Sequence, residues 1–385
     1  MALPLFMNSS RRKFSQWSAL TLHSSNARAR LAAICGSAFA PLPSKAEGLD
    51  QNQEWLIGGG QFVHPSAPNL QRKAISLMSL TGRAPKLIDV GFFPHGFAID
   101  PSNPKRVASF QKIGPGAALV DLSTSQVLET ISKRGDQQFY GHGAFTLDGK
   151  LLLSTERDEQ AKRGLIAVRD GKTMAYLGEF PSYGDSPHDC HLIENGQTLV
   201  VANGDGSLAY IDLKSQKLLE KLTIPNRGFN AGHLQALAHR KVIVVSAPAK
   251  GLGEHELGGI SVRLSGAPWA SISQPAELVS KMTGEALSVA VSQKHGVFGV
   301  THPSANLITF WSVSDGKALA NLAIPRPRGI EVSADGAKFL LSFGQHAGLA
   351  IVDAKSLTVL EQSSDTAYFS GSHIVNWSRL TQARG

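Results

Sequence analysis

Cysteine is nearly missing from this 385-residue chain: Cys35 and Cys190 are its only two. If the first 46 residues are removed, Cys190 stands alone, so no intramolecular disulfide can form even in an oxidising compartment. Charge is also sparse, at 18% of residues, and no stretch approaches the roughly 20 apolar residues of a membrane span. Acidic residues are absent from positions 1–46, where Arg11, Arg12, Lys13, Arg28, Arg30 and Lys45 stand. Taking those six from 38 basic residues leaves 32 against 30 acidic ones, so six of the eight formal positive charges belong to the leader and the rest of the chain carries +2. Without that leader the case for nucleic acid or anionic lipid as partner disappears.

The leader has a basic Ser10-Arg11-Arg12-Lys13-Phe14, a weakly apolar Leu31 to Ala40 and small residues at Ser44-Lys45-Ala46. This order predicts a twin-arginine-type signal peptide over 1–46, a periplasmic destination and a mature domain over 47–385. An organellar transit peptide is the alternative, because Arg28, Arg30, His23 and several serines interrupt the apolar part. Bulky Ile34 before Cys35 argues against lipidation.

What the chain has in abundance is glycine, 38 residues, together with a 42% hydrophobic content able to fill a large core. These are arranged in a repeat. Short apolar strands open at His95, His142, His188, His233, Ser288, Arg328 and His373, at intervals of 40 to 55 residues. Each unit continues with three further strands separated by turns, and Asn195-Gly196, Asp148-Gly149 and Asp335-Gly336 suit tight hairpins. Asp170-Gly171, Ser265-Gly266 and Asp315-Gly316 fit a second turn series. Residues 54–92 supply three strands without an inner one, and His373 to Leu380 supply an inner strand with nothing after it. Joined, they form a composite blade. The expected fold is therefore all-β: a seven-bladed β-propeller closed by N- and C-terminal strands. Two β-sandwiches would also give many short strands, but not complementary partial units at opposite ends.

In such a blade the inner strand starts, and the second strand ends, at the same mouth of the central channel. Five openings from consecutive blades are histidine: His373, His95, His142, His188 and His233. Neutral imidazole is a common ligand of Fe, Cu and Zn, and a rigid channel can make several rings converge. These five residues are the candidate metal ligands. Arg328 suits a carboxylate or another small anion sharing the site. Glu156 and Asn203, in loops at the same mouth, are further ligand candidates; His64, Arg157, Asp158, Asp205, His302 and His346 neighbour them. The alternative is structural: propellers of the WD-repeat kind place a Gly-His pair at blade boundaries, and Gly141-His142 and Gly232-His233 fit that pattern. In His188-Asp189-Cys190-His191, strand alternation keeps all four from one ion, and Cys190 reads as a small buried hydrophobe. Gly58-Gly59-Gly60 lacks the helix and Lys-Ser or Lys-Thr of a phosphate loop and reads as a strand end beside the channel. Gly204-Asp205-Gly206-Ser207 is no nucleophile elbow. No catalytic constellation is complete, so enzymatic activity is unsupported by the residues.

Several segments resemble a known family. Phe93-Pro94-His95-Gly96-Phe97, Phe139-Tyr140-Gly141-His142-Gly143, Ser154-Thr155-Glu156-Arg157-Asp158, Ser186-Pro187-His188-Asp189 and Leu199 to Gly204 resemble the bacterial domain of unknown function 1513 family, from about residue 55 to Trp377. The resemblance implies an exported propeller, often with a twin-arginine signal and often encoded near imelysin-type proteins of iron uptake; it implies no particular reaction. The Gly204-Asp205-Gly206 loop is shorter here than in many relatives. Three functions follow as expectations: a periplasmic binding or accessory protein holding a metal or small anion, an interaction scaffold with structural histidines, and an uncharacterised redox or hydrolytic enzyme.

Overall fold

A computed structural model describes residues 49, 53–64, 67–80, 85–253, 255–264, 268–344, 348–363, 369 and 373–382. The leader, the Ser265-Gly266 turn and His346 lie outside the described residues, as does the side chain of His64.

The described strands form seven four-stranded antiparallel sheets, each running from an inner to an outer strand. Six blades follow the chain, with inner strands Pro94–Ile99, Gln137–Phe145, Pro187–Ile193, His233–Ala236, Val289–Ser292 and Pro327–Val332. The seventh is composite: Ile374–Asn376 pairs with Trp55–His64, followed by Ala67–Ser79 and Lys86–Asp89. This is the seven-bladed propeller that the repeat predicts, and the openings fall at or within a residue or two of the strand starts in six blades. In the second, the strand begins five residues before His142.

Burial explains the repeat. Second strands such as Thr198–Asn203 and Val297–His302 are buried at every position because neighbouring blades cover both of their faces. Their middles therefore read as continuous apolar runs, Leu199 to Ala202 and Val297 to Val300. Outermost strands meet water: Gln126–Thr130 is exposed throughout and Ala318–Ala323 alternates. The core is a series of interblade clusters, such as Ala98, Phe110 and Leu119 with Phe139 and Leu152 of the next blade. The predicted hairpins turn at Gly149, Gly196 and Gly336 with φ of +69°, +79° and +72°, a region that glycine enters without steric cost.

The closing blade departs from expectation twice. Its inner strand stops at Asn376, and Trp377–Gln382 is helical instead of extending the strand. Asn376 donates through Nδ2 to the Val332 carbonyl at 2.8 Å and the Trp377 indole donates to the Pro104 carbonyl at 2.7 Å, tying the closing strand to blades on either side. Gly58-Gly59-Gly60 lies inside the strand Trp55–His64, not at its end. A Cβ on Gly59 would come 2.5 Å from the Pro94 ring, so glycine there lets the first blade pack against the closing one. No helix among the described residues is long and apolar enough to cross a membrane.

Candidate metal centre

The inner strands do more than line the axis. In the first and third blades the pairing register shifts at Pro94/Gly96 and Pro187/Asp189, leaving His95 and His188 unpaired in bulges. In the second blade it shifts between Phe139 and Gly143, around His142. An extra residue in a strand re-aims its side chain, and proline, which lacks an N–H, costs little where the ladder is broken. The Pro-His-Gly and Pro-His-Asp sequences thus encode bulges that turn imidazoles into the channel. Glycine then permits closeness: a Cβ on Gly96 would lie 2.3 Å from the Gly141 carbonyl oxygen and 2.8 Å from His142 Nδ1. Gly141 itself has φ of +119° and faces the His95 and His188 rings.

The result brings together all five predicted histidines. Donor atoms of His95, His142, His188 and His233 lie within 4.8 Å of one another. The His373 ring centroid stands 4.6 Å from that of His95, 4.8 Å from His142 and 4.1 Å from His233. The outward nitrogens are committed. His188 Nδ1 meets the Tyr140 carbonyl at 2.9 Å, and His233 Nδ1 meets the Leu287 carbonyl at 2.6 Å. A carbonyl only accepts, so both Nδ1 atoms carry the proton and both Nε2 atoms present lone pairs. Those two Nε2 atoms are 2.8 Å apart, and His188 Nε2 is 3.3 Å from His95 Nε2. His142 Nδ1 points to the Asp189 carboxylate at 3.4 Å, while Nε2 of His142 and of His373 are buried with no hydrogen-bond partner.

Lone pairs that face each other at hydrogen-bond distance repel unless a cation or a shared proton lies between them. Two nitrogens each about 2.0–2.1 Å from one ion are about 2.9 Å apart at a right angle and about 3.4 Å apart at the tetrahedral angle. The two observed Nε2 separations match those chords.

Electrostatics points the same way. Burial, then repulsion among the rings, holds His95, His233 and His373 well below the ordinary imidazole value. Burial and His142 bring His188 to about 3. Burial also lowers His142, although Asp189 partly offsets it. Asp189 is a contributor that sequence reading missed. Its burial favours the neutral acid, yet His142 and His191 keep it ionised well below the usual carboxylate range. It accepts the Leu234 N–H at 3.0 Å and stands 3.6 Å from His191. A carboxylate behind an imidazole fixes tautomer and ring orientation and raises donor strength.

Below about pH 6.5 the unfolded chain therefore takes up protons that the folded, metal-free chain refuses. Stability rises with pH wherever the unfolded state binds more protons, so it is lost as pH falls from about 6.5 towards 3, by up to about 1.4 kcal/mol per pH unit for each such histidine. Melting temperatures of metal-free protein at pH 7.5, 6 and 5 should fall with increasing steepness. A level profile to pH 5 would contradict neutral, buried imidazoles.

The other candidates are placed differently. Glu156 is wholly buried in the second blade, where Arg169 pairs with it at 2.6 Å and Ser154 donates to it at 2.7 Å. Burial outweighs Arg169 and raises its carboxyl above the ordinary value. Because losing one partner strands a buried charge, Glu156→Gln should cost about 3 kcal/mol in denaturant titrations and leave metal uptake unchanged. Asn203 is buried, with long contacts of 3.5 Å from Nδ2 to the Ser182 and Ser207 carbonyls. Arg157 pairs with Asp185 at 2.7 Å and Glu159 at 2.6 Å. Asp158 and Asp205 accept backbone N–H groups of Ala161 and Ser207. His302 is a buried framework residue whose Nε2 meets Thr309 Oγ1 at 3.0 Å. Cys190 is buried in the interblade core with Leu153, Ile166 and Val201, and burial pushes its thiol far up. Arg328 occupies the broken register Pro327/Ile330, the same blade position as His95 and His188.

Fold and site together define a seven-bladed β-propeller with a buried histidine cluster on its axis that could bind a metal. The chain belongs to the family described as Protein of unknown function (DUF1513), whose sequence model matches residues 90–206 and 205–376. No curated protein matches the sequence. Among solved structures, the Kuenenia stuttgartiensis hydrazine synthase is similar, with a TM-score of 0.61 at 12% identity over 74% of this chain and 90% of that one. At that identity the likeness shows the fold alone.

Proposed function

We propose that this protein is an exported binding or accessory propeller that holds one first-row transition-metal ion, copper, zinc or iron, on its axial histidines. The observation that carries the reading is the 2.8 Å approach of His188 Nε2 to His233 Nε2, with each ring's Nδ1 proton already given to a backbone carbonyl. Two further buried Nε2 atoms without partners, on His142 and His373, support it. An all-imidazole set favours Cu over Zn and Fe in intrinsic affinity, so copper is the first ion to test. His95, His142, His188 and His233 are the proposed ligands, His373 the fifth, and Asp189 orients His142.

The basic leader supports delivery to the periplasm, and a twin-arginine route, which carries folded cargo, is compatible with a metal-loaded protein. A role beside imelysin-type partners in iron handling rests on the family resemblance. The test is elemental analysis of untagged protein purified from its native compartment, followed by titration of chelator-treated protein with Cu(II), Zn(II) and Fe(II). About one equivalent bound at submicromolar affinity supports the proposal. Protein that arrives without metal and takes up none of the three ions refutes it and returns the histidines to the blade framework.

A further inference from the structure

The two imidazoles whose Nε2 atoms stand 2.8 Å apart are held from behind by the backbone of the blades on either side of them. His188 Nδ1 is fixed by the Tyr140 carbonyl of the second blade, and His233 Nδ1 by the Leu287 carbonyl at the opening of the fifth. Neither carbonyl lies in the regular part of its strand pairing, and a buried hydroxyl stands behind each. In the fifth blade the link is a single peptide unit. Its oxygen, on Leu287, accepts from His233, and its N–H, on Ser288, donates to Thr301 Oγ1 at 3.1 Å. That hydroxyl donates in turn to the Arg328 carbonyl of the sixth blade at 2.6 Å. In the second blade one residue intervenes. Pairing skips from Phe139 opposite Glu156 to Gly143 opposite Ser154, so Tyr140, Gly141 and His142 face Thr155 alone. The His142 N–H donates to Thr155 Oγ1 at 3.2 Å, and the hydroxyl donates to the His142 carbonyl at 3.0 Å, with the His188 carbonyl 3.5 Å away. Thr155 and Thr301 are both fully buried. A hydroxyl in such a place costs stability unless its hydrogen bonds are made. Threonine's branched side chain has little freedom at χ1, and successive hydrogen bonds strengthen one another in a low-dielectric interior.

Building on the metal reading, we propose that Thr155 and Thr301 are positioning residues of the metal centre. Their hydroxyls clamp the two strand openings whose carbonyls fix His188 and His233, and so set the approach of the two Nε2 atoms. Neither hydroxyl touches the ion. Ser342 provides a comparison inside the same molecule: it is a buried hydroxyl at the matching position of the sixth blade and accepts the Gly329 N–H at 2.8 Å. Among the described contacts, no imidazole bonds to a carbonyl of that opening.

Copper serves as the probe. Chelator-treated wild type and variants are titrated with Cu(II) while their paramagnetic resonance spectra are followed. Thr155→Val and Thr301→Val keep the side-chain shape and lose the hydroxyl; each should bind copper about tenfold more weakly, with an altered spectrum. Thr155→Ser and Thr301→Ser keep the hydroxyl and should bind as the wild type does. Ser342→Ala should lower the melting temperature of the metal-free protein and leave copper affinity and spectrum unchanged. Should a valine variant not fold, the alanine variant at that position, which places no methyl group against the carbonyls, is read in its place. Valine variants with wild-type affinity and spectrum, or an equal loss of affinity in Ser342→Ala, would make the hydroxyls part of the blade framework only and overturn the assignment while the metal reading stands. A wild type that takes up no copper, zinc or iron removes the metal reading itself, and the assignment with it.

Discussion

His188→Ala combined with His233→Ala is expected to abolish metal binding, from about one equivalent to a residue near background after desalting. The pair removes the two nitrogens at 2.8 Å and leaves three imidazoles, His95, His142 and His373, one fewer than a closed tetrahedral shell needs. The effect on folding runs the other way. Two facing lone pairs in a buried site are a source of strain in the metal-free chain, so the double variant should be no less stable than metal-free wild type, despite losing two ring side chains. Elemental analysis and melting curves of the same preparations check both halves. Retained metal would show that the ion sits elsewhere. A collapse of stability in the metal-free double variant would mean that the histidines serve the framework.

The second large effect concerns closure. Donors come from four consecutive blades and from His373, which immediately precedes the three-residue closing strand Ile374–Asn376. A ligand that binds only the folded state stabilises it by about 4 kcal/mol when present at a thousand times its dissociation constant. For a chain of this size that is a rise of about 5–10 °C in melting temperature. His373→Ala should take away about half of that rise, which by the same relation is an affinity weakened roughly thirtyfold, while the four remaining imidazoles still bind about one equivalent. Differential scanning calorimetry with and without copper measures it; an equal rise in both proteins would show that His373 does not ligate.

Seven blades are legible in the sequence because each physical requirement of the fold leaves its own local mark. Two-sided burial gives Leu199-Val200-Val201-Ala202, tight turns give Asn195-Gly196 and Asp335-Gly336, and ring closure gives matching partial blades. The five-histidine cluster is legible for the same reason, since one residue per blade repeats at one structural position. What escaped local reading is whatever depends on a neighbouring blade. Alternation correctly places Asp189 and His191 together, but the bulge at His188 breaks the alternation and sends His188 to the axis and Cys190 to the core. Asp189 then serves His142 of the preceding blade, a contact between residues 47 positions apart in sequence that no spacing rule announces. Glu156, beside polar residues in a strand end, gives no sign that Arg169 will claim it. The helix at Trp377 is equally hidden: its residues suit a strand, and it forms where Trp377 and Ser378 are fixed by contacts to Pro104 and Trp55.

The composite blade also sets an order of events. Chains are made from the N-terminus, so His95, His142, His188 and His233 leave the ribosome long before His373, and the first three strands of the closing blade wait for their inner partner throughout. A full set of donors exists only after the ring has shut. Synthesis that stalls before residue 373 gives neither a sealed propeller nor the five-histidine cluster.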